Sequence, residues 1–285
     1  MTKSLNVRGD YEEAFRTSTV KSWPLGTRMH LADNRVFRYS LAGATALVVG
    51  RVMQAARQDT DVVGASLVVP QTSADKRKVV LNIVTKKRVT QDTYDGGLLY
   101  VNEGTGVGHV YHVQGNDLLE PNSASAQLTI YLGSDFQVAL GSSSRVTLLR
   151  NRYHSLVVAS APPSSGVVGV TPVAVSANSY FWLQTGGPCA VLQQDDLETY
   201  LPVAASRVTS GAVEAAAFMV PNTAGELHGV EGLVMQPVLS DDAGPLKWRL
   251  APSSGVGVVP ALSMGYVLDP RESGQHCLIH VTLEG

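Results

Sequence analysis

Asp95 to Val113 reads DGGLLYVNEGTGVGHVYHV, and this stretch decides the fold class. Leu98-Leu99-Tyr100-Val101 and His109-Val110-Tyr111-His112-Val113 are strand-like runs rich in β-branched and aromatic residues. Between them, Asn102 to Gly108 contains Gly104, Gly106 and Gly108, which can take positive φ because they carry no Cβ. Apolar and polar residues alternate in the second run, as they should in a hairpin arm with one wet face. The stretch therefore predicts a β-hairpin, and its grammar of short strand, polar or Gly/Pro break and short strand recurs along the chain.

Composition agrees with many short strands. The chain has 285 residues, enough for about two ordinary domains. Hydrophobic residues make up 44% and charged residues 16%, the latter well below the usual ~25%. With 27 Gly and 14 Pro this suits strands joined by turns better than long solvated helices. No apolar run approaches the ~20 residues of a membrane span, and MTKSLNVRGDYEEAF lacks a signal-peptide core. The expectation is a soluble protein made in the cytoplasm, with no membrane partner. Cys189 and Cys277 are the only cysteines, and two separate buried thiols are expected rather than a bridge.

Taken in order, residues 1–34 read as an extended N-terminal arm carrying Phe15, Trp23 and Leu25, with little of its own to bury them against. Packing on the body of the chain and docking on a neighbouring subunit are the two fates open to it. Arg35 to Tyr39 alternates like a half-exposed strand, and Ala42 to Ala56 reads as a strand pair with a turn. Val62 to Val69, Lys78 to Val84, Gln127 to Leu132, Arg145 to Leu149 and Leu156 to Val158 complete a first β-domain over 35–160. Ser160 to Gly166 (SAPPSSG) is the best boundary signal. Residues 161–285 then form a second β-domain, with a hairpin turning at Thr185-Gly186-Gly187-Pro188 and CLIHVTL as the closing strand. The predicted fold class is all-β: two sandwich- or barrel-like domains of short antiparallel strands preceded by the arm.

Chemical signatures are absent. Gly104 to Gly108 is followed by strand, whereas a dinucleotide fingerprint requires a helix there. His109, His112 and His154 show no metal-ligand spacing. Ser142 to Ser144 lacks the Gly-x-Ser-x-Gly elbow, and Asp195-Asp196 and Asp241-Asp242 read as solvated turns. No catalytic residue, metal ligand or cofactor site is assigned, and the expectation is a protein that is not an enzyme.

Charge is unevenly placed. Residues 1–90 hold 15 Lys+Arg against 7 Asp+Glu, a net of +8, and the remainder nets −10. Lys76-Arg77-Lys78 and Lys86-Lys87-Arg88 bracket one predicted strand. Without interleaved aromatics they make a poor nucleic-acid platform; solvated strand ends or an acidic protein contact fit better. Tyr180-Phe181-Trp182 points to alternate faces, so at least one ring should meet a second sheet or a partner chain.

Several of these segments together resemble the virion structural proteins of tailed bacteriophages. Trp23-Pro24-Leu25-Gly26-Thr27-Arg28, followed by Arg35-Val36-Phe37-Arg38-Tyr39 and a small-residue apolar run, is similar to their start. Tyr94-Asp95-Gly96-Gly97-Leu98-Leu99-Tyr100-Val101-Asn102-Glu103-Gly104-Thr105-Gly106 resembles their YxGGxLxVNDGTG segment. Tyr180-Phe181-Trp182-Leu183-Gln184-Thr185-Gly186-Gly187-Pro188 resembles their FWLQTWGP hairpin, with Gly187 where that pattern varies. The resemblance implies a capsid decoration (cement) protein on the virion, bound to the major capsid protein and bridging neighbouring coat subunits. It also implies a homo-oligomer, with a trimer preferred. Phe15, Trp23, Leu25, Lys76, Arg77, Lys78, Lys86, Lys87, Arg88 and Trp182 are the candidate partner-binding residues. A host-surface or carbohydrate-binding appendage of head or tail, using the aromatic hairpin, is the alternative, and a glycan hydrolase ranks third. Exposed aromatics beside hydrogen-bonding groups would favour the carbohydrate binder; aromatics buried between chains would favour the cement protein.

Overall fold

A computed structural model describes residues 6–68, 76–83, 88–120, 127–216, 218–220, 235–238, 247–250, 258–260 and 263–283. The fold is all-β; among the described residues there is one short helix, Tyr11–Ala14, and one 3-10 turn, Thr60–Val62. The opening stretch forms the predicted hairpin. Leu98–Glu103 pairs antiparallel with Val110–Asn116, Leu98 opposite His112 and Tyr100 opposite Val110. Gly104, Gly106 and Gly108 sit at φ +74°, +86° and +86°, so the turn needs the residues that the sequence places there.

That hairpin belongs to a closed six-stranded barrel, ordered Gln127–Leu132, Lys78–Asn82, Ala65–Leu67, Arg145–Leu149, Leu98–Glu103, Val110–Asn116. Period-two alternation fills it: Leu99, Val101, Tyr111, Val113, Leu128 and Ile130 point inward and are buried. Their neighbours Leu98, Val110 and His112 are exposed.

The rest of the chain on both sides of the barrel builds one large sheet. Its centre is a 13-residue strand, Tyr180–Leu192. Thr185 to Pro188, expected as a hairpin turn, is instead a bulge within this strand. Gly187 lies at φ +82°, and the register shifts between Gln184 and Gly186. The Gln184 side chain donates to the carbonyls of Gly186 and Pro188 at 3.2 and 2.7 Å, holding the irregular backbone inside the sheet. The bulge lets the strand change partners: Tyr180 to Gly186 pairs with Val36–Leu41, and Gly186 to Leu192 pairs with His276–Thr282.

This topology corrects the expected division at residue 160. Val36–Leu41, placed by sequence in the first domain, is the neighbour of Tyr180–Leu192, placed in the second. The Ser160 to Gly166 cluster is a tight loop: Val157–Val158 before it and Val167–Val170 after it pair with the same strand, Val52–Gln54. Gln54 anchors that loop, accepting from the backbone N–H groups of Ser160 and Ser164 at 3.3 and 3.1 Å. A Pro/Ser/Gly run marks a sharp turn as readily as a linker, and here it is the turn. The barrel is thus inserted between two halves of the sheet. Ala42 to Ala56 contributes only Val52–Gln54 as a strand, with bridges at Ala42 and Leu47.

The expected arm is corrected as well. Asn6–Arg8 pairs parallel with Arg28–His30, and Thr17–Ser18 pairs with Tyr180 and Phe181. Asp10 caps the helix Tyr11–Ala14, its side chain accepting from the Glu13 N–H at 2.8 Å. Ala14, Met29, Phe37, Tyr39 and Trp182 form one buried cluster, with Trp23 and Leu25 packed on its margin. Of the apolar residues expected in the arm, Trp23 and Leu25 therefore find partners within the chain, whereas Phe15 stays 44% exposed.

Phe218–Val220 pairs antiparallel with Val258–Pro260, and Met235–Val238 with Lys247–Leu250. Tyr266-Val267-Leu268 lies within Gly265–Asp269, and His276–Thr282 is the expected closing strand. Cys189 and Cys277 are free, buried and on adjacent strands. Burial pushes their thiols up, to about 12 and about 11.

Candidate partner-binding surfaces

Two surface depressions collect the residues of interest. The first is an apolar groove of about 480 Å3 over the centre of the sheet. Two facts of strand geometry create it. In His276–Thr282 the side chains of Cys277, Ile279 and Val281 enter the core, which turns Leu278 outward beside Ala190. The helix Tyr11–Ala14 ends at Phe15, which projects over the same face. Phe15, Val49 and Leu278 are 44%, 46% and 37% exposed, and Pro172, Pro188 and Ala190 complete the apolar lining. The cationic side chain there, Arg35, is held by Asp33 at 2.8 Å and lies 4.7 Å over the Tyr11 ring.

The second is a cleft of about 710 Å3 between the sheet and the barrel. Trp23 to Thr27 forms one wall; Asp95, Gly96, His112 and Gln114 form the other. Lys21 reaches across to Asp95 at 2.8 Å. Beneath, the Asn151 side chain donates to the carbonyls of Leu25 and Gly96 at 3.2 and 3.3 Å, so one amide fixes both walls. Two segments far apart in sequence, Trp23 to Arg28 and Asp95-Gly96, thus meet here.

His154, in the turn that follows the strand Arg145–Leu149 and within the field of that ion pair, has its ring pushed down to about 4. Burial is the main cause, and the positive charges of Arg150 and Lys21 add to it, with Asp95 opposing. Its Nδ1 lies 2.7 Å from the Ser155 hydroxyl. The folded state therefore binds this proton more weakly than the unfolded chain, whose histidine titrates near 6.5. Stability from this group is complete above about pH 6.5 and is lost progressively as pH falls toward 4. Denaturant unfolding across that window should show the slope in the wild type and a shallower one in His154→Gln; equal slopes would assign the acid sensitivity elsewhere.

The predicted binding residues do not form one patch. Phe15 lies at the groove; Trp23 and Leu25 line the cleft. Trp182 is 1% exposed, in the core, and its indole N–H donates to Glu13 at 3.0 Å. Its expected surface role is thereby corrected: the bulged strand turns the ring toward the helix of its own chain. Lys76, Arg77 and Lys78 stand exposed at one end of Lys78–Asn82, and Arg88 stands beyond the other; Lys86 and Lys87 lie outside the described residues. Arg77 is paired with Asp135 at 2.5 Å, which holds that carboxyl below its ordinary value, and Arg88 is paired with Glu120 at 3.2 Å. With Lys21–Asp95, three bases of the first third meet acids from beyond residue 90, so the charge asymmetry along the sequence is partly cancelled inside the fold.

Ser144 is structural, its hydroxyl donating to the Thr105 carbonyl at 2.7 Å, and Asp195 and Asp196 are exposed in a loop. Asp241 and Asp242 lie outside the described residues. Among the described residues no three His, Cys, Asp or Glu side chains gather as a metal would require, and no helix is long and apolar enough to cross a membrane. No family model, curated protein or solved structure matches the chain. Sequence reasoning missed Val49, Ala190 and Leu278; the signal was the outward Leu in CLIHVTL, whose alternate positions are core residues.

Proposed function

We propose that this protein is a non-enzymatic capsid decoration protein of a tailed phage, bound to the outer surface of the major capsid shell and bridging neighbouring coat subunits. The apolar groove around Phe15, Val49 and Leu278 is the observation that carries the reading. It lies on the most extensively paired strands of the sheet, so it is rigid before any partner arrives. Exposed apolar side chains gathered around one depression, as opposed to scattered singly, mark a contact surface for protein. The resemblance of three segments to virion proteins supplies the class of partner, and copies linked as a trimer gain avidity on a repeating shell.

The test is co-sedimentation of purified protein with shells that lack it. Phe15→Asp combined with Leu278→Asp replaces two apolar contacts, each worth about 1.5–3 kcal/mol when buried, with charges. Binding should weaken at least about 100-fold, while the thermal midpoint stays within a few degrees because both side chains are surface residues. A double variant that binds shells like the wild type would refute this surface, and a wild-type protein that ignores shells would refute the reading.

A further inference from the structure

We infer that the barrel is a hinged domain, latched to the sheet across the cleft and able to swing about the two chain segments that join the bodies. This goes beyond shell binding and does not rest on it, because the latch lies apart from the apolar groove.

The two bodies share no core. The barrel's buried apolar cluster is drawn from residues 62–148, and those of the sheet are drawn from 14–53 and 153–281. Among the described residues no buried cluster spans the junction. Two bodies without a large hydrophobic interface move relative to each other as a rule. Between them lies an open cleft of about 710 Å3, a space that a close-packed core would fill.

The polar contacts at the junction divide into a pivot and a latch. The chain enters the barrel through 55–59 and leaves it through 150–152. Asp59 on the way in accepts from Arg150 on the way out at 3.1 Å. This contact ties the two connecting segments to each other, not the barrel to the sheet, so it persists while the barrel turns. The contacts that a turn breaks are others. Lys21 of the sheet side reaches Asp95 of the barrel at 2.8 Å. The Asn151 side chain donates to the Leu25 carbonyl on one body and the Gly96 carbonyl on the other, at 3.2 and 3.3 Å. Lys21 and Asp95 are both partly exposed, and an ion pair of that kind holds weakly. A weak latch over a junction without a core leaves two states close in free energy, closed as seen here and open. Opening parts the Trp23 to Thr27 wall from Asp95 and Gly96 and re-aims the barrel surface relative to the groove on the sheet.

The test is a distance measurement between paired spin labels on the full chain. One label sits at Val110→Cys on the barrel, the other at Val208→Cys in the turn between the sheet strands Pro202–Ala205 and Val213–Ala215. Both positions are well exposed, whereas the native Cys189 and Cys277 are buried and out of a label's reach. The labelled parent should show one dominant distance. Lys21→Glu turns attraction to Asp95 into repulsion, and Asn151→Ala removes both amide contacts. Together they should add a second distance population and raise the open-to-closed ratio at least about tenfold, the change expected for losing two hydrogen bonds. Lys21→Glu alone should broaden the distribution, and as a change at an exposed side chain it keeps the test decisive if Asn151→Ala disturbs folding. Exchanging the charges, Lys21→Glu with Asp95→Lys, should restore the parent distribution. A single unchanged distance in Lys21→Glu and in the variant lacking both ties overturns the inference and makes barrel and sheet one rigid body. So does broadening that the charge exchange leaves in place, because the ion pair is then not the latch. Shell binding is read separately through Phe15 and Leu278, so the failure of either proposal leaves the other standing.

Discussion

Trp182→Ala is expected to lower the unfolding free energy by about 3–5 kcal/mol, the range for removing a large aromatic from a core. Trp182 is enclosed by Met29, Leu31, Phe37 and Tyr39, and it meets the Tyr39 ring edge-on at 5.0 Å. Truncation also removes one of the partners of Glu13, whose carboxylate receives the indole N–H at 3.0 Å and also pairs with Arg16 at 3.1 Å. Because Glu13 is in the helix Tyr11–Ala14, losing Trp182 should loosen the whole 6–34 segment, and limited proteolysis there should accelerate in the variant. Trp182→Phe keeps most of the volume and forfeits the hydrogen bond, a loss of about 1 kcal/mol. Chemical denaturation of the three proteins makes the measurement. An unchanged midpoint in Trp182→Ala would mean that the ring is not a core residue, and would return it to the role of a surface anchor.

That expectation reverses the reading drawn from Tyr180-Phe181-Trp182 alone, and the reason is physical. Alternation along a strand tells which residues share a face, but not what covers that face. The cover here is a four-residue helix and two short strands from the first thirty residues, none of which has a periodic signature of its own. By contrast the barrel hairpin was legible, because positive-φ glycines between alternating runs specify a turn locally. The Thr185 to Pro188 bulge was not: Gly-Gly-Pro satisfies a turn and a bulge equally, and only the partner strands, Val36–Leu41 and His276–Thr282, choose between them.

The surfaces divide in the same way. Leu278 could be found from strand alternation, since it is the apolar residue out of phase with Cys277, Ile279 and Val281. The cleft could not, because Trp23, Asp95 and Asn151 are joined only once the barrel closes and its end rests on the sheet. Basic runs such as Lys76 to Lys78 are conspicuous in sequence, yet their acids, Asp135 among them, lie in other strands and loops. Exposed pairs of this kind contribute little to stability, about 0–1 kcal/mol. Their consequence is for recognition: they reduce the field that the first third of the chain could present to a partner.

Gly97→Ala should be a severely damaging single-methyl addition at the barrel, at about 3 kcal/mol or more. Gly97 closes the turn that starts the hairpin: its carbonyl accepts from the Val113 N–H at 2.9 Å, and its own N–H donates to the Tyr94 carbonyl at 2.9 Å. A Cβ at this position would overlap the Leu149 carbonyl oxygen and stand 2.9 Å from the Tyr94 carbonyl oxygen and 3.3 Å from the Asn151 nitrogen. All three are backbone atoms, so no rotamer change relieves the clash; either the strand Arg145–Leu149 must shift or the turn must open. Both movements disturb Asn151, and with it the tie between the cleft walls. Gly108→Ala is the control. It sits in the same hairpin at φ +86°, but a Cβ there meets nothing within 4 Å. Its cost should be the conformational one alone, about 1–2 kcal/mol. Unfolding midpoints should therefore rank wild type above Gly108→Ala and Gly108→Ala above Gly97→Ala. Equal midpoints for the two variants would show that the surrounding backbone yields to the added methyl, and that close approach to Leu149 is not what requires glycine at 97.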